Sequence, residues 1–393
     1  MDRGKKLVEL CQDMIRIPSY SGREGDAVAF MKSKMEEYGF DEISIEKYGS
    51  VVGKIHGKYP GPTVLLDGHI DHVDVIDEDE WTYPPFGAEI HDGKIYGRAT
   101  SDMKGSVAAM VSAAAQYAED TDREFAGTIC CSCSVHEECF EGISCRAISE
   151  AVKPDLVIIG EATTGTVKIG QRGRAEIVVE THGKSCHSSN PRAGINAVYH
   201  MTELIKAIRE ITPSVHPVLG EGIFELTDII SQPYPGASVV PSLCRVTYDR
   251  RTLVGETEEG ILDQIREVIS EVKQTIPELD ASVCIAKGEE SCWTGEKIEA
   301  RRYFPAWMVE ETDPLVQAAI RGLNEEGMYP EISHFAFCTN GSHFCGEKNI
   351  PCIGYGPSLE SLAHVRDEYI EIEELNNSYR GFMAILRGLT AVR

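Results

Sequence analysis

The sequence predicts an α/β protein in which an open, mostly parallel sheet is interrupted by an inserted α+β module. Three apolar stretches of strand length, residues 63–66, 128–135 and 156–159, alternate with helical patterns, and each is followed by acids or a histidine. Because the carboxyl ends of parallel strands meet at one edge of a sheet, these polar residues are expected to share a site. Between residues 175 and 285 the order changes to β-α-β-β-α-β, which is typical of a ferredoxin-like module.

The length of the chain supports two domains. With 393 residues, of which 42% are hydrophobic, each domain has enough apolar side chains for its own core. We place the first domain in two pieces, residues 1–173 and 299–393, and the inserted domain at residues 174–298.

Hydrophobic periodicity and turn residues place the remaining elements. Helices are predicted at residues 5–16, 24–38, 106–118, 193–211, 258–275, 312–326 and 372–389. Further strands are predicted at residues 43–47, 51–56, 175–182, 222–230, 238–248, 280–285, 331–336 and 352–355.

Composition excludes several functional classes. The 38 basic and 63 acidic residues give a net charge of −25, which argues against nucleic acid or an anionic membrane as partner. No apolar stretch approaches membrane-spanning length, and the N-terminal residues form a charged amphipathic pattern unlike a signal peptide. Thirteen cysteines, an odd number without two C-x-x-C pairs, indicate free thiols and a cytoplasmic protein.

Candidate metal ligands follow the apolar strands. His69 and Asp71 are two residues apart, so on an extended chain their side chains share one face, as a ligating imidazole and its supporting carboxylate would. The adjacent acids Glu137 and Glu138 project to different sides, so that one can bind metal while the other handles a proton. Taken singly, each has a structural alternative. Asp102, for example, precedes a helix and could be its N-cap.

Six short motifs in a fixed order resemble those of the M20 family of metallopeptidases and amidohydrolases. The six motifs are Gly68-His69-Ile70-Asp71, Tyr96-Gly97-Arg98 through Asp102-Met103-Lys104-Gly105, His136-Glu137-Glu138, Gly160-Glu161-Ala162-Thr163, Cys186-His187-Ser188-Ser189 and Ala363-His364. The resemblance covers essentially the whole chain, and it looks closest to a subgroup labelled selenium-metabolism-linked hydrolases. It implies a zinc-peptidase type of catalytic domain and an inserted domain that serves as lid and dimerisation surface.

The resemblance also implies a site with two divalent metal ions, with zinc expected and cobalt able to substitute. Asp102 would bridge the ions, His69 and Glu161 would complete the ligands of one, and Glu138 and His364 those of the other.

The catalytic roles are implied in the same way. Glu137 would take a proton from a metal-bridging water and return it to the leaving amine. Asp71 would orient His69, and His187 would stabilise the tetrahedral intermediate. In dimeric relatives that histidine comes from the neighbouring subunit, so a homodimer is expected.

The implied reaction is hydrolysis of an amide bond in an N-acyl or N-carbamoyl amino acid or a small dipeptide. Arg251 matches the family's arginine that grips a substrate carboxylate, although a surface arginine at a strand end is the structural alternative. Asn196, Asn340 and Gly341 are further candidate substrate contacts. Glu161, a glutamate where some relatives have aspartate, resembles the deacylases and carboxypeptidases more than the aminopeptidases.

Two positions depart from the family pattern. Ala99 stands where glycine is usual, and Cys186 stands where alanine is common, which would make that site sensitive to oxidation.

The same residues allow two alternatives to a metal-dependent hydrolase. One is an enzyme with a thiol–imidazole nucleophile at Cys186 and His187, and the other is a metal-stabilised binding protein without catalysis. Glu137 favours an enzyme, because a binding protein needs no general base.

Overall fold

The computed structural model describes residues 3–392. Its helices are α1 (Arg3–Ile15), α2 (Gly25–Glu37), α3 (Gly105–Asp120), α4 (Cys145–Val152), α5 (Ala197–Ile208), α6 (Glu258–Thr275), α7 (Pro314–Glu325) and α8 (Ile372–Thr390). The seven predicted helices are all present, with ends shifted by a few residues at most, and α4 is an addition to them.

The strands are more numerous than predicted, because several are only two or three residues long. They are β1 (Glu42–Ile45), β2 (Val51–His56), β3 (Tyr59–His69), β4 (Glu89–His91), β5 (Lys94–Tyr96), β6 (Ala126–Ser134), β7 (Leu156–Ile159), β8 (Val167–Gln171), β9 (Gly173–His182), β10 (Val215–His216), β11 (Gly220–Glu221), β12 (Ile223–Gln232), β13 (Leu243–Thr252), β14 (Asp280–Ile285), β15 (Lys287–Ser291), β16 (Lys297–Arg301), β17 (Tyr303–Phe304), β18 (Trp307–Met308), β19 (Ile332–Phe335), β20 (Cys352–Gly354) and β21 (Tyr369–Glu371).

The main sheet has the order β1-β2-β6-β3-β7-β20-β8-β18, with β19 beside β8. Its four central strands, β6, β3, β7 and β20, run parallel to one another. From Val64 to His69, strand β3 is buried on both faces, as expected inside a parallel sheet. Val64 and Leu66 belong to one hydrophobic core, whereas Leu65 between them belongs to the core on the opposite face.

The register of the parallel strands brings three polar segments together. His69, the last residue of β3, lies opposite Ser134, the last residue of β6. Asp67, two residues before His69, lies opposite Ile159, the last residue of β7. The residues that follow these strand ends therefore share one edge of the sheet, as the sequence predicts.

A second compact unit comprises Arg172–Gly288 and Ala300–Ala306. Its antiparallel sheet has the order β12-β13-β9-β14, and helices α5 and α6 share a separate hydrophobic core with it. The element order of these strands and helices is the β-α-β-β-α-β of the predicted ferredoxin-like module. Strand β12 lies at one edge of this sheet.

The boundary after the inserted module differs from the prediction at 298/299. Residues Glu289–Glu299 group with the first unit, together with the chain up to Gln171 and from Trp307 onward. The physical reason is Trp293, whose indole N–H donates to the Gly49 carbonyl at 3.2 Å within that unit. None of the helices within residues 3–392 is both long and apolar enough to cross a membrane.

Candidate metal centre

His69 lies at the carboxyl end of β3 and is almost completely buried. Its Nδ1 is 3.0 Å from the backbone carbonyl oxygen of Asp71, so this nitrogen carries the proton and donates it. The other ring nitrogen, Nε2, is 2.9 Å from Asp102 Oδ1 and 3.5 Å from Glu161 Oε1. This second ring nitrogen is thus directed at two carboxylates, the orientation that a metal-ligating histidine needs.

Asp102 lies between two histidines. Its Oδ1 faces His69, and its Oδ2 is 3.0 Å from Nε2 of His364. It is not the N-cap of α3, because that helix begins at Gly105 after Lys104, and Asp102 has non-helical backbone angles. A carboxylate with one oxygen on each of two imidazoles has the arrangement required of a ligand that bridges two cations.

Glu138 and His364 form the other half of the cluster. Nε2 of His364 is 3.0 Å from Oε2 of Glu138. His364 is about half exposed, with a side-chain exposure of 51%, and adopts a left-handed backbone conformation with φ of 61°. Such a conformation is uncommon for a residue with a Cβ and is typical of functional sites.

The structure thus brings the predicted ligands and Glu137 into one cluster. Ligand atoms of His69, Asp102 and Glu138 all lie within 4.8 Å of one another, and so do those of His69, Glu137 and Glu161. Glu137 is buried, and its Oε1 has no hydrogen-bond partner among the described residues.

The electrostatics of the cluster indicate that positive charge is needed there. Burial, reinforced by Asp102, raises the pKa of Glu161 to about 8 against the opposing effect of His69. Burial, together with Glu161 and Glu138, raises the pKa of Glu137 well above its ordinary value, although His69 works against this. Hydrogen bonds to Asp102 and Glu138 raise the pKa of His364 to about 10. Four carboxylates surround two imidazoles, so without cations Glu137, Glu161 and His364 hold protons that divalent metals would displace.

The contact by which Asp71 would orient His69 is made by its backbone carbonyl and not by its carboxylate. Its carboxylate Oδ1 is 3.6 Å from His69 Nδ1, whereas its backbone carbonyl makes the hydrogen bond to that ring. The carboxylate accepts the backbone N–H of Glu137 at 3.1 Å, the N–H of Glu138 at 3.2 Å and the hydroxyl of Ser21 at 2.7 Å. Asp71 thereby connects His69 with the turn that carries both acids. Ser21 was not predicted, because a serine in a loop 50 residues away has no distinguishing pattern.

Three predicted residues lie in the second unit. His187 is exposed, and its Nδ1 accepts the backbone N–H of Ser189 at 3.1 Å. The thiol of Cys186 donates to the carbonyl of Asn190 at 3.3 Å. Because thiol and imidazole have separate partners, this geometry does not support a Cys186–His187 nucleophile.

The other two residues of that unit have local contacts. Asn196 is the N-cap of α5, where its side chain accepts the N–H of Val198 at 2.9 Å. Arg251 is partly exposed on β13, and its Nε is 2.9 Å from Oδ1 of Asp249. The two Nη atoms of Arg251 are the pair that can bind a carboxylate through two parallel hydrogen bonds.

The predicted substrate contacts at Asn340 and Gly341 are not supported by the structure. The amide nitrogen of Asn340 donates to Asp67 Oδ2 at 2.9 Å and to Ser134 Oγ at 3.0 Å, and its oxygen accepts the N–H of Gly142 at 2.8 Å. The side chain is buried and committed to these contacts. A Cβ at Gly341 would lie 2.5 Å from the indole nitrogen of Trp307, so this glycine is required by packing.

A cleft of about 700 Å³ opens beside the cluster. Glu138 and His364 form part of its wall, and the aromatic side chains of Tyr20, His72 and Trp81 form another part. His72 is a wall residue, with its Nε2 accepting the N–H of Ser19 at 2.9 Å. Burial lowers the pKa of His72 to about 4, so it remains a neutral imidazole. The cleft gives a small molecule access to Glu138 and His364 of the cluster.

Comparison with known proteins gives the family. Residues 65–388 match the sequence profile of Peptidase family M20/M25/M40. The chain is 34% identical over 370 residues to an uncharacterized protein, YgeY, of Escherichia coli K12, covering 92% of this chain and 89% of that protein. It is 25% identical to succinyl-diaminopimelate desuccinylase 2 of Ruegeria sp. TM1040, covering 97% of this chain and 94% of that protein.

Solved structures share the fold at lower sequence identity. Aminopeptidase PepT from Bacillus cereus superimposes with a TM-score of 0.75 at 17% identity, over 98% of both chains. The YXEP protein of Bacillus subtilis, described as a dinuclear metal binding peptidase, superimposes with a TM-score of 0.72 at 15% identity, over 98% of this chain and 97% of that one. With the profile match across most of its length, the chain belongs to Peptidase family M20/M25/M40 and is a hydrolase of that family.

Proposed function

We propose that this protein is a metal-dependent amidohydrolase that cleaves the amide bond of an N-acyl or N-carbamoyl amino acid or of a small dipeptide. The observation that carries the proposal is the position of Asp102, with one carboxylate oxygen on His69 and the other on His364. The two groups of possible ligand atoms share His69, and Asp102 of the first group also faces His364, as expected for a dinuclear hydrolytic site.

The residues present fit two divalent cations. Asp102 would be shared, His69 and Glu161 would hold one ion, and Glu138 and His364 the other, with zinc the expected metal because it accepts imidazole and carboxylate together. The surplus of buried carboxylates over imidazoles supports this assignment. When bound, such ions lower the pKa of water and stabilise negative charge on a carbonyl oxygen. The relative YXEP, described as dinuclear, supports the number of ions.

Glu137 is the proposed general base. Its carboxylate is buried beside the ligands, and its Oε1 lacks a partner, so this oxygen is available to accept a proton from water. The same carboxyl group can then pass the proton to the leaving amine. Asp71 holds the Glu137 backbone and so fixes the direction of its side chain. No observation favours the alternative of a non-catalytic binding protein. The unpartnered oxygen of Glu137 supports an enzyme, because a general base needs a free acceptor.

The substrate is proposed to be an amide with a free carboxylate. The Ruegeria relative is named as a desuccinylase of succinyl-diaminopimelate, and the Bacillus cereus neighbour is an aminopeptidase, so both names describe amide or peptide hydrolysis. In this chain Arg251, partly exposed on the inserted module, is the proposed partner of the carboxylate, and His187 is the proposed partner of the carbonyl oxygen. Asn196 remains a candidate contact.

The inserted module is proposed to form a homodimer through its edge strand. Within residues 3–392 no strand pairs with the outer side of β12 in its sheet, and Ile229 and Ile230 on it are 54% and 46% exposed. An exposed apolar edge is a template for pairing with another chain. A cytoplasmic location is also proposed, because none of the 13 cysteines, all of which lie in the described part of the chain, forms a disulfide.

The function is tested by a substrate screen. Metal-depleted protein is reloaded with Zn²⁺ or with Co²⁺ and assayed against N-acyl amino acids, N-carbamoyl amino acids and dipeptides, each with and without a free carboxylate. Release of amine that depends on metal and is absent in Glu137→Gln is the expected result. If reloaded protein binds metal but hydrolyses none of these amides, the proposal is wrong.

A further inference from the structure

Glu368 is a fully buried carboxylate whose hydrogen bonds all converge from one short turn. Its Oε1 accepts the backbone N–H groups of Ser101 at 2.8 Å and of Asp102 at 3.1 Å. Its Oε2 accepts the backbone N–H of Ala99 at 3.1 Å and the Nη1 of Arg98 at 2.8 Å. Four donors within five consecutive residues are therefore satisfied by one side chain.

This turn needs an anion because its backbone is irregular. Ala99 is left-handed, with φ of 69°, and Asp102 is non-helical, with φ of −127° and ψ of 88°. Successive N–H groups in such a conformation point into one concavity, and an anion placed there binds them together. Without the carboxylate these buried N–H groups would lose their acceptor, which is unfavourable because buried donors need one.

Glu368 also links two ligand-bearing segments. It lies four residues after His364, and it binds the N–H of Asp102, whose Oδ2 is 3.0 Å from the His364 imidazole. The hydroxyl of Ser101 reinforces the link by donating to the carbonyl of Tyr369 at 2.6 Å. The separation between Asp102 and His364, which are 262 positions apart in the chain, is thus set by one buried acid.

We propose that Glu368 is a positioning residue that holds Asp102 and His364 at the spacing required for metal binding. The inference rests on the proposed function, because it assigns Asp102 and His364 to the metals. Glu368 touches neither substrate nor metal ligand side chains in this role; it acts through the backbone of the 98–102 turn. Carboxylates that support ligands in this way affect metal affinity about 10- to 100-fold.

Glutamine is the sharpest substitution at this position. Glu368→Gln preserves size, but its amide NH₂ would face either two backbone N–H groups or the Ala99 and Arg98 donors, so one pair is left without an acceptor. Glu368→Asp keeps the charge and shortens the side chain, so it restores part of the network. Glu371→Gln is the matched control, since Glu371 lies three residues further along and its side chain is 45% exposed.

The experiment titrates Co²⁺ into metal-free protein at pH 8, followed by the visible absorption of bound cobalt, with circular dichroism and thermal unfolding on the same samples. We expect Glu368→Gln to bind Co²⁺ 10- to 100-fold more weakly than wild type, Glu368→Asp to be intermediate, and Glu371→Gln to match wild type. Unchanged Co²⁺ affinity in folded Glu368→Gln overturns the inference.

A second variant decides the matter if Glu368→Gln does not fold. In that case Glu368→Asp is compared with Glu371→Gln: weaker Co²⁺ binding supports the positioning role, and equal binding overturns it. The wild-type titration separates the two proposals. Wild-type protein that binds no Co²⁺ contradicts the proposed function itself, whereas wild type and Glu368→Gln binding equally well contradicts only the role of Glu368.

Discussion

The carboxylate of Asp71 accepts the backbone N–H of Glu137 at 3.1 Å, while the backbone carbonyl of the same Asp71 accepts the Nδ1 proton of His69 at 3.0 Å. One residue therefore fixes both the proposed general base and a proposed ligand. Because Glu137, the proposed base, and His69, the proposed ligand, are both bonded to Asp71, the distance between them is fixed.

Replacing Asp71 tests this support. Asp71→Asn keeps the backbone carbonyl, but its NH₂ group would face either the N–H of Glu137 or both the N–H of Glu138 and the Ser21 hydroxyl. We expect turnover to fall roughly 10- to 100-fold, with metal bound more weakly. Ser21→Ala removes only one of the three hydrogen bonds and should have a smaller effect. Steady-state kinetics with metal analysis measure both, and an Asp71→Asn enzyme with full metal content and normal turnover would contradict the role.

Replacing Glu137 tests the base. Glu137→Gln should lose roughly a hundred- to ten-thousand-fold in kcat while keeping its fold and metal, because only proton transfer is removed. Glu150→Gln, on the exposed side of α4, is the control and should behave as wild type. Normal turnover of the metal-loaded Glu137→Gln enzyme would mean that another group is the base.

Metal removal should affect stability as well as activity. Chelation leaves the buried carboxylates without cations, so the metal-free protein is expected to unfold at lower temperature and to regain stability with Zn²⁺. At a free Zn²⁺ concentration of about a hundred times Kd, the gain is about 2.7 kcal/mol per independent site. Elemental analysis of the reloaded protein should give two ions per chain. A single tightly held ion, with no second site at higher concentration, would refute the dinuclear assignment.

Subunit mixing tests whether sites are shared between chains. If His187 serves the opposite subunit, a mixture of inactive His187→Ala and inactive Glu137→Ala chains should regain partial activity, because one site of each heterodimer is complete. Each variant alone should remain nearly inactive with metals bound. No recovery, despite subunit exchange demonstrated by mass spectrometry, would place His187 in the site of its own chain.

Glu347 provides a pH test away from the metal cluster. Burial opposes its charge, but hydrogen bonds from His343 and Arg146 outweigh this and lower the pKa of Glu347 from 4.5 to about 2. A carboxyl group with a depressed folded-state pKa stabilises the protein fully above its unfolded pKa, and this contribution is lost as pH falls towards the folded pKa. The stability advantage of wild type over Glu347→Gln should therefore shrink by about 1 kcal/mol between pH 7 and pH 4.

Denaturant unfolding at several pH values measures this difference. Glu325→Gln is the control, since Glu325 is exposed at the end of α7, and its difference from wild type should stay constant with pH. If the difference between wild type and Glu347→Gln were equally constant, the ion pair with Arg146 and the contact with His343 would carry no net stabilisation.

Local patterns sufficed for much of the fold. Helix α6 occupies the predicted residues 258–275, because Thr257 caps it by accepting the N–H of Gly260 and its apolar face repeats at helical spacing. Helix α4 (Cys145–Val152) was missed, because eight residues give barely two turns of periodicity and Ser144 makes no side-chain cap.

The site shows what patterns cannot supply. Ligand identities followed from the motif resemblance, and the structure brings those side chains together. The structural role of Asn340 could not be predicted from the residues next to it in the sequence, because its hydrogen-bond partners Asp67 and Ser134 lie 273 and 206 residues away. The role of Glu368 could not be predicted either. In the sequence it is one of several acids near His364, and only the fold shows that it accepts the backbone N–H of Asp102.

The position of β20 has a consequence for how the protein is made. This strand, Cys352–Gly354, lies between β7 and β8 in the main sheet, although almost 200 residues separate it from Ile159 and the whole inserted module is synthesised in between. A nascent chain that has emerged only as far as β14 lacks the strand that joins β7 to β8. The inserted module can pair β12, β13, β9 and β14 of its sheet on the ribosome, whereas the first domain must wait for its last fifth, and for His364, before its sheet and metal cluster can close.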